Sequence, residues 1–118
     1  MGQRSNAPAK GFYFVPGGSI RKDERIADAF RRILKAETGI DGSVSHARFI
    51  DVYEHLYPDN AFGDPDYGTH YVVLAYEIRV SERPTVVLDQ QHSAIRWMHD
   101  GEIVRASDVH PYARAYFD

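Results

Sequence analysis

The stretch FYFVPGGSIRKDERIADAFRRILKAETGI, residues 12–40, decides the fold of this chain. Residues 12–15 are aromatic or β-branched and predict a strand, which the turn Pro16-Gly17-Gly18 ends. Asp23 is the predicted N-cap of the helix that follows, and Gly39 stands where a glycine closes a helix. Taken alone, this is an ordinary amphipathic helix after a glycine turn. Its apolar stripe, at helical spacing, consists of Ile26, Ala29, Phe30, Ile33 and Leu34.

The spacing of polar residues in this stretch is more specific than its composition. The pattern is Gly18-x5-Glu24-x7-Arg32-x4-Glu37-x-Gly39, with Leu34 inside it and the apolar Ile40 after it. It resembles the Nudix box, whose general form is G-x5-E-x7-R-E-U-x-E-E-x-G-U with U a bulky apolar residue. Ile33 and Ala36 stand where that family has two further glutamates.

The fold that this resemblance implies belongs to the α+β class, as a Nudix-type α/β/α sandwich with a mixed β-sheet. Residues 47–57 and 71–80 read as strands, and residues 85–88 and 95–98 as short strands. A helix is predicted to begin near Asp100 or Ser107, and residues 112–117 are predicted to be helical.

The domain organisation is predicted to be a single Nudix hydrolase domain over residues 1–118, because no repeat, linker or low-complexity tract interrupts the chain. The match to the family begins in mid-pattern at Met1. We therefore expect the N-terminal part of the family fold, with its first strand, to be missing from this chain.

The absence of the family's glutamates at Ile33 and Ala36 limits the metal binding, and with it the type of reaction, that the sequence predicts. Fewer carboxylates should hold fewer divalent ions, and one ion can still neutralise a departing diphosphate. Attack at carbon, with the nucleoside diphosphate leaving intact, fits that arrangement. The rest of the chain resembles the GDP-mannose mannosyl hydrolases, which implies Mg²⁺-dependent hydrolysis of GDP-mannose to GDP and mannose with inversion. The matching residues include Gly2, Arg4, Asn6, Pro8, Ala9, Gly11, Tyr57, Asp59, Asn60, 69–74, Gln91, His92, Arg96, Trp97, Val109, His110 and 114–117.

Roles for individual residues follow from this resemblance. It implies that Mg²⁺, or Mn²⁺ in its place, is held by the Glu37 carboxylate, the Gly17 carbonyl and the Gln91 side chain. It also implies that Arg4 and Tyr71 hold the diphosphate and help the leaving group accept charge.

The same resemblance makes His92 the general base and gives Arg32 an orienting role toward Glu24 or Glu37, with some electrostatic benefit to the leaving group. A histidine titrates near neutrality, so His92 can act as an unprotonated base. Judged from residues 89–93 alone, however, the better interpretation is an ordinary solvated histidine of a polar loop.

Composition bounds the partners and the location. Fourteen basic and seventeen acidic residues give a formal net charge of −3, which argues against a protein held on nucleic acid by bulk electrostatics. No segment has the roughly 20 apolar residues needed to span a bilayer, and no secretory leader is visible. We expect a cytoplasmic protein that binds a nucleotide sugar and no membrane. Such a family resemblance often accompanies a homodimer, which no residue here establishes.

Two other functions stay open at this stage. One is a conventional Nudix pyrophosphohydrolase that cleaves a nucleoside diphosphate derivative between its phosphates. The other is a catalytically inactive nucleotide-binding module. The base and the sugar that are bound do not follow from the residues.

Overall fold

The computed structural model describes residues 1–84 and 92–118, with the side chains of His92 and Ser93 not described. Its elements follow in chain order. The strands are β1 (Gly2–Arg4), β2 (Tyr13–Phe14), β3 (Arg48–Tyr57), β4 (Thr69–Glu77) and β5 (His92–Ile95). The α-helices are α1 (Ile26–Thr38), α2 (Asp100–Ile103) and α3 (Pro111–Arg114), and short 3₁₀ turns cover Val44–His46 and Ala115–Phe117.

The strands form two small sheets. One has the order β2-β1-β5 and the other is the β3-β4 hairpin, and every ladder between these strands is antiparallel. A parallel bridge between Tyr13 and Val109 joins the first sheet to the C-terminal segment and gives the pairing its mixed character. With one long helix beside these sheets, the architecture confirms the predicted α+β Nudix-type fold.

The core of the described residues lies under the C-terminal segment. Ile103, Val109 and Ala113 are buried there and form one apolar cluster. Met98 and the two β2 residues Tyr13 and Phe14 pack against it, among other partly buried residues. The C-terminal helices are short, so it is this packing, rather than helix propensity, that holds them in place.

Helix α1 begins later than predicted. Arg25 is its N-cap residue, without a side-chain capping bond, and Asp23 has a left-handed φ of 63° in the turn before it. The predicted Asp23 cap is therefore wrong. The reason is local: Glu24 turns back toward Arg21, with its N–H donating to the Arg21 carbonyl at 3.1 Å and its carboxylate accepting the Arg21 N–H at 3.0 Å. The end of the helix is as predicted, because Gly39 closes it with φ 76°.

The predicted strands agree best where they are long. The prediction for 47–57 matches β3, whereas β4 begins two residues before the predicted 71 and ends three before 80. The strand predicted at 95–98 lies instead at 92–95, because β1 pairs with it there, from Gly2 opposite Ile95 to Arg4 opposite His92. The strand predicted at 85–88 falls outside the described residues. The predicted helices at Asp100 and over 112–117 are present as α2 and as α3 with the final 3₁₀ turn.

Helices that could span a membrane were sought in the part of the chain that the structure describes. Among those residues, no helix is both long enough and apolar enough to cross a bilayer.

Candidate functional site

The turn before α1 is fastened to the helix by one arginine. The Arg32 guanidinium donates from Nε to Glu24 Oε2 and from Nη2 to Glu24 Oε1, both at 2.8 Å. The same Nη2 donates to the Ser19 carbonyl at 2.7 Å. We call Ser19, Glu24 and Arg32 the turn–helix junction. Because a bidentate ion pair fixes geometry as well as charge, the junction sets where the glycine turn lies against the helix.

The ionised forms of Glu24 and Arg32 stabilise each other at the junction. Hydrogen bonding to Arg32, together with the Arg21 N–H, lowers the pKa of Glu24 from 4.5 to about 2. The same pairing raises the pKa of Arg32. Both groups are thus charged at any physiological pH, and Glu24 has its charge satisfied by Arg32.

The glycine turn touches α1 at a position where the family motif has a glutamate. A Cβ built on Gly18 would lie 3.0 Å from Cγ1 of Ile33, so the backbone passes directly over this apolar side chain. Glu37 follows Ile33 by one helical turn and therefore lies on the same face. The glycine turn therefore crosses the same face of α1 that carries Glu37.

The donor set on this face suits a hard divalent cation. Carboxylate and carbonyl oxygens are the ligands that Mg²⁺ prefers, and it usually keeps several waters and bonds to substrate phosphates. Within residues 1–84 and 92–118, no group of three or more His, Cys, Asp or Glu residues is placed to hold a metal. One carboxylate together with carbonyl oxygens fits an ion that takes few protein ligands. Gln91, the third predicted ligand, lies outside the described residues, so its place remains a prediction.

Arg4 lies at the end of β1, opposite His92 of β5 in the ladder. Its Nε donates to the Pro8 carbonyl at 2.8 Å, and its backbone exchanges hydrogen bonds with Phe12 and Gly11. No further hydrogen bond to the guanidinium is made by the residues that the structure describes. The structure thus brings the backbones of two predicted catalytic residues together.

An aromatic surface lies on the β3-β4 hairpin. Tyr57 and the exposed Tyr71 share one face of the hairpin, with ring centroids 6.3 Å apart. The rings of His110 and Tyr112 each lie 5.4 Å from Tyr57. We call these four residues the aromatic shelf. It unites the predicted diphosphate ligand Tyr71 with three residues to which the sequence analysis assigned no role.

His55 packs against the Tyr112 ring of the aromatic shelf. It is buried, its ring stacks on Tyr112 at 4.6 Å with 3° between the planes, and its Nε2 lies 3.1 Å from the Tyr116 hydroxyl. Burial, followed by the field of His110, lowers the pKa of His55, and burial likewise lowers the pKa of His110 beside Arg114. The alternation of Tyr53, His55 and Tyr57 along β3 was the signal that could have placed these rings on one face.

The C-terminal segment is anchored to the exposed edge of β3 by a hydroxyl group. Tyr112 Oη donates to the Leu56 carbonyl at 2.8 Å and accepts the Leu56 N–H at 3.1 Å. His110 Nδ1 accepts the Tyr112 N–H at 3.1 Å and so caps α3. These bonds fix Tyr112 and His110, and with them the rings that flank Tyr57.

Comparison with protein-family models places the whole chain in one family. The model of the NUDIX domain matches residues 1–118. The crystal structure of a MutT protein from Methanosarcina mazei Go1 superposes with a TM-score of 0.61 at 20% sequence identity, covering 98% of this chain and 77% of that one. At this level of sequence identity, the structural similarity is evidence for the fold alone.

Two curated relatives differ in what their names describe. The chain is 30% identical over 118 residues to the low-salt glycan biosynthesis protein Agl8 of Haloferax volcanii, covering all of this chain and 70% of that protein. It is 28% identical over 101 residues to the phosphatase NudJ of Escherichia coli strain K12, covering 85% of this chain and 60% of that protein.

Proposed function

This chain belongs to the Nudix family of hydrolases, and we propose from that premise that it hydrolyses a nucleotide sugar with the help of Mg²⁺. The proposed substrate is GDP-mannose and the proposed products are GDP and mannose. Water would attack the anomeric carbon, and the diphosphate would leave intact.

The contact between Gly18 and Ile33 carries this proposal. It fills with hydrocarbon a position where the family motif has a metal-binding glutamate, and Ala36 removes another. Glu37 is left as the carboxylate of that face. A site with so few anionic ligands suits one ion that neutralises a leaving group better than several ions that clamp a phosphoryl transfer.

The choice of a nucleotide sugar draws support from two sources. The sequence resembles the GDP-mannose mannosyl hydrolases at residues spread from Gly2 to Phe117. The relative from Haloferax volcanii is named as a glycan biosynthesis protein. Glycan assembly uses activated sugars, so this relative favours a substrate of the same chemical class.

The proposed mechanism divides the work among the chain's own residues. When bound, Mg²⁺ would supply positive charge to the diphosphate, and it would be held by Glu37, the Gly17 carbonyl and Gln91.

His92 would take a proton from the attacking water, whose oxygen forms the new bond to the anomeric carbon. The bond from that carbon to the diphosphate oxygen breaks with its electron pair on the oxygen, where Arg4 and Tyr71 stabilise the charge. Arg32 would act as a positioning residue through Glu24. The ring oxygen of the sugar helps the carbon bear charge in the transition state.

A second candidate reaction is hydrolysis between the phosphates. The similarity to a protein named as a phosphatase favours it. In that reaction water attacks phosphorus, and the products are GMP and a sugar phosphate. The same residues would bind the diphosphate, so the two reactions differ in the position of attack.

Hydrolysis in ¹⁸O-labelled water distinguishes these candidates. We expect the label in the released mannose and none in GDP, measured by mass spectrometry of both products. Label in a phosphate-bearing product would reject attack at carbon and favour the second candidate. Tight binding of nucleotide without turnover would identify an inactive binding module.

A further inference from the structure

We infer that the Tyr57 hydroxyl is a further ligand of the substrate's diphosphate, beside Arg4 and Tyr71. This inference rests on the proposed function in one respect, namely that the ligand is a nucleoside diphosphate or its derivative. It does not depend on which bond is cleaved.

Tyr57 is held where an anion would approach Arg4. The Arg4 N–H donates to the Phe12 carbonyl at 2.9 Å, so β1 holds Arg4 against Phe12. The His110 ring lies 5.1 Å from the Phe12 ring and 5.4 Å from the Tyr57 ring, which brings Tyr57 close to this part of β1. Tyr71 contacts Tyr57 from the next strand, at 6.3 Å between ring centroids and 71° between ring planes. Since a diphosphate carries negative charge on several oxygens, a cation with two adjacent hydroxyl donors is a suitable binding surface for it.

The Tyr57 ring is fixed, while its hydroxyl is not used within the described fold. His110 and Tyr112 pack against the ring at 5.4 Å each, at angles of 59° and 84°. The hydroxyl makes no hydrogen bond to any residue in 1–84 or 92–118. A rigid ring whose hydroxyl has no hydrogen-bond partner among the described residues is a preorganised donor, because little freedom is lost when it binds.

The protonation state of Tyr57 suits a donor. Burial of the phenol is the main cause that raises the pKa of Tyr57 to about 12; Arg4 acts in the opposite direction, and Asp59 and two neighbouring phenols add to the rise. The phenol is therefore neutral over the whole physiological range and can give its proton to a phosphate oxygen.

Tyr53 provides a matched control in the same strand. It lies four residues earlier on the same face of β3, about 13 Å away along the strand. Its ring packs at 4.8 Å against Tyr116 instead of lying beside Arg4. Replacing either tyrosine by phenylalanine removes one hydroxyl and leaves the ring contacts in place.

The test is calorimetric binding of Mg²⁺ with GDP, and of Mg²⁺ with inorganic pyrophosphate, to the full chain and to both variants. We expect Tyr57→Phe to lower both affinities about tenfold, the effect of losing one hydrogen bond to a charged group. Tyr53→Phe should change neither affinity, and both variants should keep the wild-type melting temperature.

Several results would overturn the inference. They are unchanged affinities in Tyr57→Phe, an equal loss in Tyr53→Phe, a loss that is matched by a lower melting temperature, or a wild-type chain that binds neither probe. A loss with GDP but not with pyrophosphate would place the contact on the nucleoside and would likewise reject a diphosphate ligand. The ¹⁸O experiment reports on the position of attack, so it can fail while Tyr57 still binds the diphosphate.

Discussion

The turn–helix junction and the aromatic shelf are held together in opposite ways. The junction joins residues no more than 13 positions apart through charged hydrogen bonds of 2.7–2.8 Å. The shelf joins β3 to a helix 56 positions later through ring faces and one hydroxyl. The junction therefore resists changes of pH and depends on geometry, whereas the shelf depends on burial and on neutral imidazoles.

The largest expected effect is on turnover, and it distinguishes the proposed general base His92 from the proposed metal ligand Glu37. His92→Gln should lower kcat by about 10²–10⁴-fold, the usual contribution of a positioned general base, with little change in Mg²⁺ affinity. Glu37→Gln should instead weaken Mg²⁺ binding itself. Steady-state kinetics at saturating Mg²⁺ and Mg²⁺ titration of both variants make the comparison. If both variants kept full activity, the roles proposed for His92 and Glu37 would be wrong.

A smaller effect is expected from breaking the junction. Arg32→Ala should reduce kcat/KM by about 10²-fold, because the glycine turn is no longer held against α1 and a displacement near 1 Å has this effect on positioned groups. The control is Arg31→Ala in the same helix, whose ion pair with Asp41 is 2.9 Å long between side chains that are both 62% exposed. Exposed pairs contribute little, so this control should behave as wild type. Equal losses in the two variants would deny the junction its positioning role.

The smallest effect concerns pH and distinguishes the two regions directly. The pKa values of His55 and His110 lie below 6.5 in the folded chain, so the unfolded chain takes up protons first as the pH falls. The stabilisation from the shelf is full above about pH 6.5 and decreases below it. The pKa of Glu24 is lowered from 4.5 to about 2, so the stabilisation from the junction is full above 4.5 and is lost between 4.5 and 2.

Amide hydrogen exchange measures this difference residue by residue. Between pH 7.5 and 5.5, after correction for intrinsic rates, protection of the Tyr112 amide should fall while that of amides in α1 stays constant. The Tyr112 N–H donates to His110 Nδ1, which can no longer accept once it is protonated. Earlier opening of α1 would reverse the order that we predict for the two regions.

The sequence predicted the junction far better than the shelf. The spacing from Gly18 to Gly39 lies within one turn and one helix, so local rules place those residues on one face. Even there, the N-cap was misplaced at Asp23, because Glu24 pairs with Arg32 and Arg21 and delays the helix by two residues.

The shelf required long-range packing that no local pattern encodes. Tyr57 and His110 meet because the C-terminal segment packs under β2 and β3, a contact set by burial of Val109 and Ala113. The strand predicted at 95–98 moved to 92–95 for a similar reason, since pairing with β1 outweighed the apolar run that ends at Met98. Alternation along β3 predicted which residues share a face, but not what would cover that face.

The hydroxyl of Tyr112 has a consequence for the behaviour of the chain in concentrated solution. Leu56 is opposite His70 in the hairpin, and both its N–H and its carbonyl bond to Tyr112 on the strand's other side. An open strand edge is a template for pairing with another molecule, and natural proteins often cover such edges with a loop or helix. A single phenol here occupies both backbone groups at that point of the β3 edge, so a strand of another molecule cannot pair with Leu56 unless the C-terminal helix moves away.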